Sequence, residues 1–261
     1  MILKGTNLYK EEIIAGYRCK FFDSVGSTND FAKEILEEIT AYLPATIIAD
    51  HQTDGKGQMG NHWESEEGKN LLLTVVMKPN FSLSEALFRI NYILTYSMIC
   101  TLRSAFNMPA QLKWPNDIFL EDKKIAGILA ETTIAGEKIN TIIGGIGLNV
   151  NQTFKDTQSK FPAISMKDYA GKEFDISLVI EEFLKNLREV TDKTSFSSLN
   201  FLEEKISQLL WNRNLQQEFV ERDTNKKIYA FPDKFCSDHR LLVKHNGIFK
   251  KLTRENYQWL P

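Results

Sequence analysis

Apolar positions change period several times along the chain, and each change marks an element. Arg18 to Ser24 reads as a strand. Ser27-Thr28-Asn29-Asp30 then matches an S-x-x-[DE] capping box, and Phe31, Ala32, Ile35, Leu36 and Ile39 recur at helical spacing, so a helix is expected at or just after Ser27. Ala45 to Ala49 and Asn70 to Lys78 are apolar runs that predict two buried strands on either side of a polar loop punctuated by glycine. Leu83 to Phe106 sets Leu87, Ile90, Ile93, Leu94, Met98 and Leu102 on one wide helical face that stops before Pro109. From Gln111 the stretches LKWPNDIFL, KKIAGILAETTIAG and INTIIGGIGLNVN read as three consecutive antiparallel strands, with turns at Glu121-Asp122 and near Gly136-Glu137. Helical spacing returns over Ile176 to Val190 and Leu199 to Leu210. Short β-like runs follow at Glu218 to Glu221, Lys227 to Phe231, Leu241 to Lys244 and Ile248 to Leu252.

The change from helices to short strands predicts a boundary near residue 213, with a large domain over 1–212 and a small barrel of short strands over 213–261. Composition narrows the function classes. Lys and Arg number 32 against 34 for Asp and Glu, so no basic excess points to nucleic acid. Cys19, Cys100 and Cys236 are odd in number and lack C-x-x-C spacing, which predicts neither a disulfide framework nor a thiolate metal site and fits a reducing cytoplasm. The longest apolar run, Leu71 to Met77, is far too short to span a bilayer, and the N-terminus has no uninterrupted apolar segment, so neither export nor membrane insertion is expected.

The segment GKGQMGNHW, Gly55 to Trp63, contains G-x-G-x-x-G but fails the context of a dinucleotide-binding turn. That turn needs a strand directly before its first glycine and a helix opening at its last. Here Asp50-His51-Gln52-Thr53-Asp54 intervenes and no helical period follows Gly60; no G-x-x-x-x-G-K-[ST] occurs either. Such a loop can still wrap an anion through inward backbone N–H groups, with Lys56 adding charge; a mobile surface loop is the plain alternative.

A second anomaly is Lys113-Trp114-Pro115-Asn116-Asp117 in the middle of a predicted sheet, where proline removes a ladder donor and Asn and Asp are poor strand formers. Lys124 across a turn, and Asn149 at the end of Gly144-Gly145-Ile146-Gly147-Leu148-Asn149, could lie beside it in a meander and bring lysines, amides and a carboxylate to one face. Each residue taken singly has a bland structural explanation. Together the ordered motifs resemble the biotin protein ligases: Ser27-Thr28-Asn29, Gln52 through the glycine loop to Trp63, KWPND at 113–117, Lys124 to Leu129, and Gly145 to Asn151.

The resemblance implies an α+β fold of the class II synthetase-like, biotin and lipoate ligase type: a mixed, largely antiparallel sheet with packed helices and a small C-terminal Src-homology-3-like β-barrel. It implies two steps, in which ATP and biotin form biotinyl-5′-AMP with release of pyrophosphate and a lysine of a biotin carboxyl carrier protein then takes the biotinyl group. By the same likeness biotin would be bound by Ser27, Thr28, Asn29, Gln52, Gly55, Lys56, Gly57, Gln58, Lys124 and Gly127. The nucleotide would be bordered by Lys56, Trp63, Lys113, Asn116 and Asn149. Lys56, Lys113 and Lys124, with Mg2+ on the triphosphate and near Asp117, would offset the charge that builds as two anions meet. Asp117 would orient the incoming lysine and accept its proton.

The chain departs from the family at Gln58 and Met59, where many members carry cations, so the adenylate is expected to be held by loop closure and the remaining lysines. Ser27 follows only 26 residues, which resembles the single-function form without an N-terminal DNA-binding domain, acting as monomer or homodimer. Two other readings stay open: a lipoate or octanoate ligase or transferase of the same fold, against which KWPND stands, and a protein that binds biotin or nucleotide without transfer.

Overall fold

In the computed structural model the described residues are 7–78, 83–135, 138–154, 162–196, 199–236, 238 and 240–260. The expected turn at Gly136-Glu137 lies outside them. Strand β1 (Leu8–Ile14) has no counterpart in the sequence reading, and its place explains why. It pairs antiparallel with β2 (Tyr17–Val25) at the edge of the main sheet, and an edge strand tolerates Lys10, Glu11 and Glu12, which blur any apolar alternation.

After β2 the chain turns into α1 (Thr28–Glu34) and α2 (Leu36–Ile39), then returns as β3 (Ala45–Gln52) parallel to β2. The expected single helix breaks at Ile35, and the capping box is not made: Ser27 occupies the N-cap with no side-chain capping hydrogen bond, and its carbonyl accepts from Phe31 N–H. Strand β4 (Asn70–Met77) follows, then α3 (Leu83–Ser104).

The stretch read as one strand from Gln111 is two. Pro115 cannot donate to a ladder, and the Trp114–Pro115 peptide is cis, so KWPND forms the corner between β5 (Gln111–Lys113) and β6 (Asp117–Leu120). The long strands β7 (Lys123–Ala135) and β8 (Lys138–Asn149) complete an eight-stranded sheet of order β1-β2-β3-β4-β8-β7-β6-β5. Only the β2–β3 pair is parallel among these neighbours.

Both faces of the central strands are buried, which is why Asn70–Met77 reads as a nearly continuous apolar run. Phe21, Ile48, Val75 and Ile142 point to one core, under α3, α5 (Ile176–Phe196) and α6 (Leu199–Ser207). Their sequence neighbours Phe22, Ile47, Val76 and Ile143 point to the other, with Phe31, Ala32 and Ile39 of α1 and α2. A short α4 (Met166–Ala170) precedes α5.

The C-terminal strands are β9 (Gln217–Glu221), β10 (Lys227–Phe235), β11 (Leu241–His245), β12 (Ile248–Leu252) and β13 (Tyr257–Trp259), in the order β12-β11-β10-β9-β13. The last of these was not predicted, because three residues are too few to show a period. An aromatic stack joins this small sheet to the large one: Trp259 lies 5.6 Å from Trp211, and Trp211 5.3 Å from Phe119 on β6. The Trp211 indole also donates to the Glu121 carbonyl at 2.6 Å.

Candidate active site

Polar groups buried at the start of α1 set the floor of the site, and burial obliges them to be paired. Thr28 donates through its backbone N–H and its hydroxyl to Gln52 Oε1, at 2.8 and 3.0 Å. Thr74 Oγ1 donates to Asn29 Oδ1 at 2.7 Å, while Asn29 Nδ2 donates to Glu131 Oε2 at 2.8 Å and to the Leu129 carbonyl at 3.2 Å. Two strands of the sheet, β4 and β7, thus fix one amide carried by the helix layer.

The glycines of β8 are needed for close approach. A Cβ on Gly145 would stand 2.4 Å from Asn29 Oδ1, and one on Gly147 would stand 2.4 Å from the Trp63 ring. The Trp63 ring lies over Gly147 and Gly127, and its buried indole N–H has no hydrogen-bond partner among the described residues. A rigid ring cannot yield as a flexible chain end can, so Gly147→Ala is expected to displace Trp63 and to weaken, at least tenfold or by about 1.4 kcal/mol, binding of the nucleotide that the family resemblance implies beside this ring. Titration of ATP against the quenching of tryptophan fluorescence would measure it, and an unchanged affinity would show that the ring is not part of the nucleotide wall.

The KWPND corner brings three of its polar groups to the same hollow. Asn116 is pinned to β7, with its Nδ2 donating to the Ile128 carbonyl at 2.7 Å and its carbonyl accepting from Ile128 N–H at 3.1 Å. Asp117 Oδ1 forms an ion pair with Lys124 Nζ at 2.6 Å, both side chains about one third exposed. Lys113 is buried, its ammonium 4.8 Å from the Phe119 ring centroid and 5.4 Å from that of Trp211.

The glycine loop is a small hairpin rather than a strand-to-helix turn. Gly57 N–H donates to the Asn61 carbonyl at 2.7 Å and Trp63 N–H to the Gly55 carbonyl at 2.9 Å, with only a 3-10 turn at Gln58–Gly60 between them. A Cβ on Gly55 would meet the Trp63 carbonyl at 2.4 Å, so this glycine closes the hairpin from behind. The loop's lysine is fastened to α1: Lys56 Nζ lies 2.5 Å from Asp30 Oδ2. Burial would raise the Asp30 carboxyl, but hydrogen bonds from Lys56 and Lys33 outweigh it and hold it below its ordinary value.

These pieces surround one cavity of about 630 Å3. Of the residues expected from sequence, Ser27, Thr28, Asn29, Gln52, Lys56, Gly57, Gln58, Trp63, Lys113, Asn116, Asp117, Lys124 and Gly127 line it. Gly55 and Asn149 do not. Asn149 is buried, and its amide donates to the Ile164 carbonyl at 3.1 Å, holding the segment before α4 against β8. The sequence reading missed the contribution of the small C-terminal sheet, from which Arg222, Arg254, Tyr257, Gln258 and Trp259 reach the cavity. No local pattern marks them, because their role depends on how that sheet is docked.

Among the described residues no three His, Cys, Asp or Glu side chains converge as a metal site. No helix of the described residues is long and apolar enough to cross a membrane.

Residues 21–149 match the model of the biotin/lipoate A/B protein ligase family. The bifunctional ligase/repressor BirA of Bacillus subtilis is 30% identical over 173 residues, which are 66% of this chain and 53% of the relative. The biotin–[acetyl-CoA-carboxylase] ligase of Paracoccus denitrificans is 32% identical over 108 residues, covering 41% of this chain and 44% of the relative. The chain thus spans about half the length of these curated relatives. Among solved structures, a point mutant of the biotin protein ligase of Aquifex aeolicus in complex with biotin is 25% identical, with a TM-score of 0.75, covering 92% of this chain and 97% of that one. The ligase of the same organism in complex with biotin and ATP superposes with a TM-score of 0.75 at 24% identity over the same shares, a likeness of fold.

Proposed function

We propose, for a chain that belongs to the biotin protein ligases of the biotin/lipoate A/B protein ligase family, that it activates biotin as biotinyl-5′-AMP and passes the biotinyl group to a lysine of a biotin carboxyl carrier protein. The observation that carries this reading is the convergence of Lys56, Lys113, Lys124 and Asp117, from three separated motifs, on one cavity whose floor is the Thr28–Asn29–Gln52 network.

The polar floor suits a ureido head, since the amides of Asn29 and Gln52 and the hydroxyls beside them carry both donors and acceptors. The carboxylate of the bound acid would then face the lysines. In the first step its oxygen attacks the α-phosphorus and pyrophosphate leaves, so the approach of two anions must be offset. Lys124 and Lys56 are held ready for that by Asp117 and Asp30, which fix the ammonium groups before substrate arrives. Mg2+ would enter with the phosphates of ATP as part of that substrate.

In the second step the carrier amine attacks the acyl carbon and AMP departs. A lysine of ordinary pKa must first lose a proton, which costs about 4–5 kcal/mol at pH 7. Asp117, within the cavity and already paired with an ammonium, is the residue we assign to receive the incoming one. Asp117→Asn is expected to lower transfer from preformed biotinyl-5′-AMP by about 10²–10⁴-fold. Unimpaired single-turnover transfer by this variant would remove Asp117 from the step.

Incubation with ATP, Mg2+, biotin and an apo-carrier domain tests the whole reading. The carrier mass should rise by one biotinyl group, with lipoate failing to substitute; a carrier that never gains mass would leave a binding protein without transfer. The three cysteines are unbridged, which fits action in a reducing cytoplasm.

A further inference from the structure

We propose that Glu131 on β7 is a positioning residue that serves two parts of the site at once, the amide in its floor and the lysine of the glycine loop, an inference that rests on the biotin-activating function proposed above. Its two carboxylate oxygens are divided between them. Oε2 accepts from Asn29 Nδ2 at 2.8 Å, and Oε1 accepts from Lys33 Nζ at 2.8 Å. Lys33 Nζ also donates to Asp30 Oδ1 at 3.2 Å, and the other oxygen of Asp30 holds Lys56 Nζ at 2.5 Å. Asn29, Glu131, Lys33, Asp30 and Lys56 thus form one continuous row of donors and acceptors that starts in the floor of the cavity and ends in the loop.

On the floor side, the carboxylate fixes which way the amide faces. Both Nδ2 protons of Asn29 are taken, one by Glu131 and one by the Leu129 carbonyl at 3.2 Å, so a flipped amide would set its oxygen against two acceptors. Asn29 Oδ1 is thereby kept toward Gly145, which lines the cavity, and it has a lone pair beyond the one that accepts from Thr74. That acceptor is available to a ligand.

On the loop side, the charges alternate as carboxylate, ammonium, carboxylate and ammonium, so each member of a partly buried row has an opposite neighbour. Burial would lower the Lys33 ammonium, but its hydrogen bonds to Glu131 and Asp30 outweigh this and hold it above its ordinary value. The loop is a partition: Lys56, Gly57, Gln58 and Met59 line the site cavity and also a second hollow of about 640 Å3, which Glu131 lines from the other side. Gln58 and Met59 carry no charge to seat this partition on an acyl phosphate. Its ionic tether to α1 is Lys56, and Lys33 and Glu131 fix the carboxylate that Lys56 grips.

Glu131→Ala should weaken biotin binding to the full chain, titrated without ATP, by about 10-fold, and should speed escape of supplied biotinyl-5′-AMP by about 10-fold. Lys33→Met, which cuts the row beyond Asn29, should speed escape by a similar factor while biotin affinity stays within about threefold of the unmodified chain. Adding Lys33→Met to Glu131→Ala should speed escape no further, because both cut the same route. Glu131→Gln keeps a single accepting oxygen and should recover at most one of the two losses. Lys185→Gln, in an exposed ion pair on α5, should match the unmodified chain. Unaltered affinity and escape in Glu131→Ala would overturn the assignment. So would escape rates that multiply in the double variant, or recovery of both losses by Glu131→Gln, which would mark a packing role. Both bindings are read without turnover, so failure of the unmodified chain to form the adenylate would instead count against the parent reading.

Discussion

Lys124→Ala is expected to slow biotinyl-5′-AMP formation by about 10²–10³-fold, the usual consequence of removing one preorganised donor from a charge-developing step. The lysine is poised for this: it lines the cavity, its ammonium is fixed 2.6 Å from Asp117, and it stands 5.6 Å from the Trp63 ring centroid. Its loss should hardly touch the fold. The ion pair is partly exposed and screened by water, so it contributes no more than about 1 kcal/mol to stability. Chemical denaturation and single-turnover adenylation, measured on the same preparation, should therefore diverge. A rate loss below tenfold with normal stability would reduce Lys124 to a partner of Asp117.

Trp211→Ala should produce the opposite balance, with a large fall in stability, about 3–5 kcal/mol, and an indirect loss of activity. The indole is almost fully buried, stacks on both Phe119 and Trp259, shields Lys113, and satisfies its N–H on the Glu121 carbonyl. Alanine would leave a cavity where the two sheets meet and free the C-terminal one to drift from the site. The denaturation midpoint should fall accordingly, and KM for ATP should rise as the cavity residues of the small sheet, Tyr257 and Gln258 among them, lose their placement. Trp211→Phe, which retains a ring but not the indole N–H, should recover most of the stability. A fall in stability with an unaltered KM for ATP would mean that the docking of the small sheet does not matter to the nucleotide.

Local and remote effects also divide what the sequence shows from what the fold adds. The helices α3 and α5, the strands β3, β4, β7 and β8, and all but one strand of the small sheet were legible, because each carries enough apolar residues for its period to show. What misled was local chemistry with two uses. Ser27 and Asp30 have the spacing of a capping box, yet Asp30 binds Lys56 and Lys33, while Ser27 lines the cavity. KWPND was recognisable as an anomaly within a strand, but only the fold made it a corner.

By itself the sequence determined the kinds of groups the site contains, since lysines, amides, a carboxylate and closely spaced glycines are properties of short segments whose chemistry travels with them. That Gly145 and Gly147 are crowded by Asn29 and Trp63 was decided by the tertiary structure. Only the tertiary structure decided which of these groups face one another. The pairing of Lys56 with Asp30, the turning of Asn149 toward Ile164, and the arrival of Arg222 at the cavity all depend on contacts between distant segments. Such contacts are set by how segments distant in sequence pack together, and packing leaves no periodic trace in the chain.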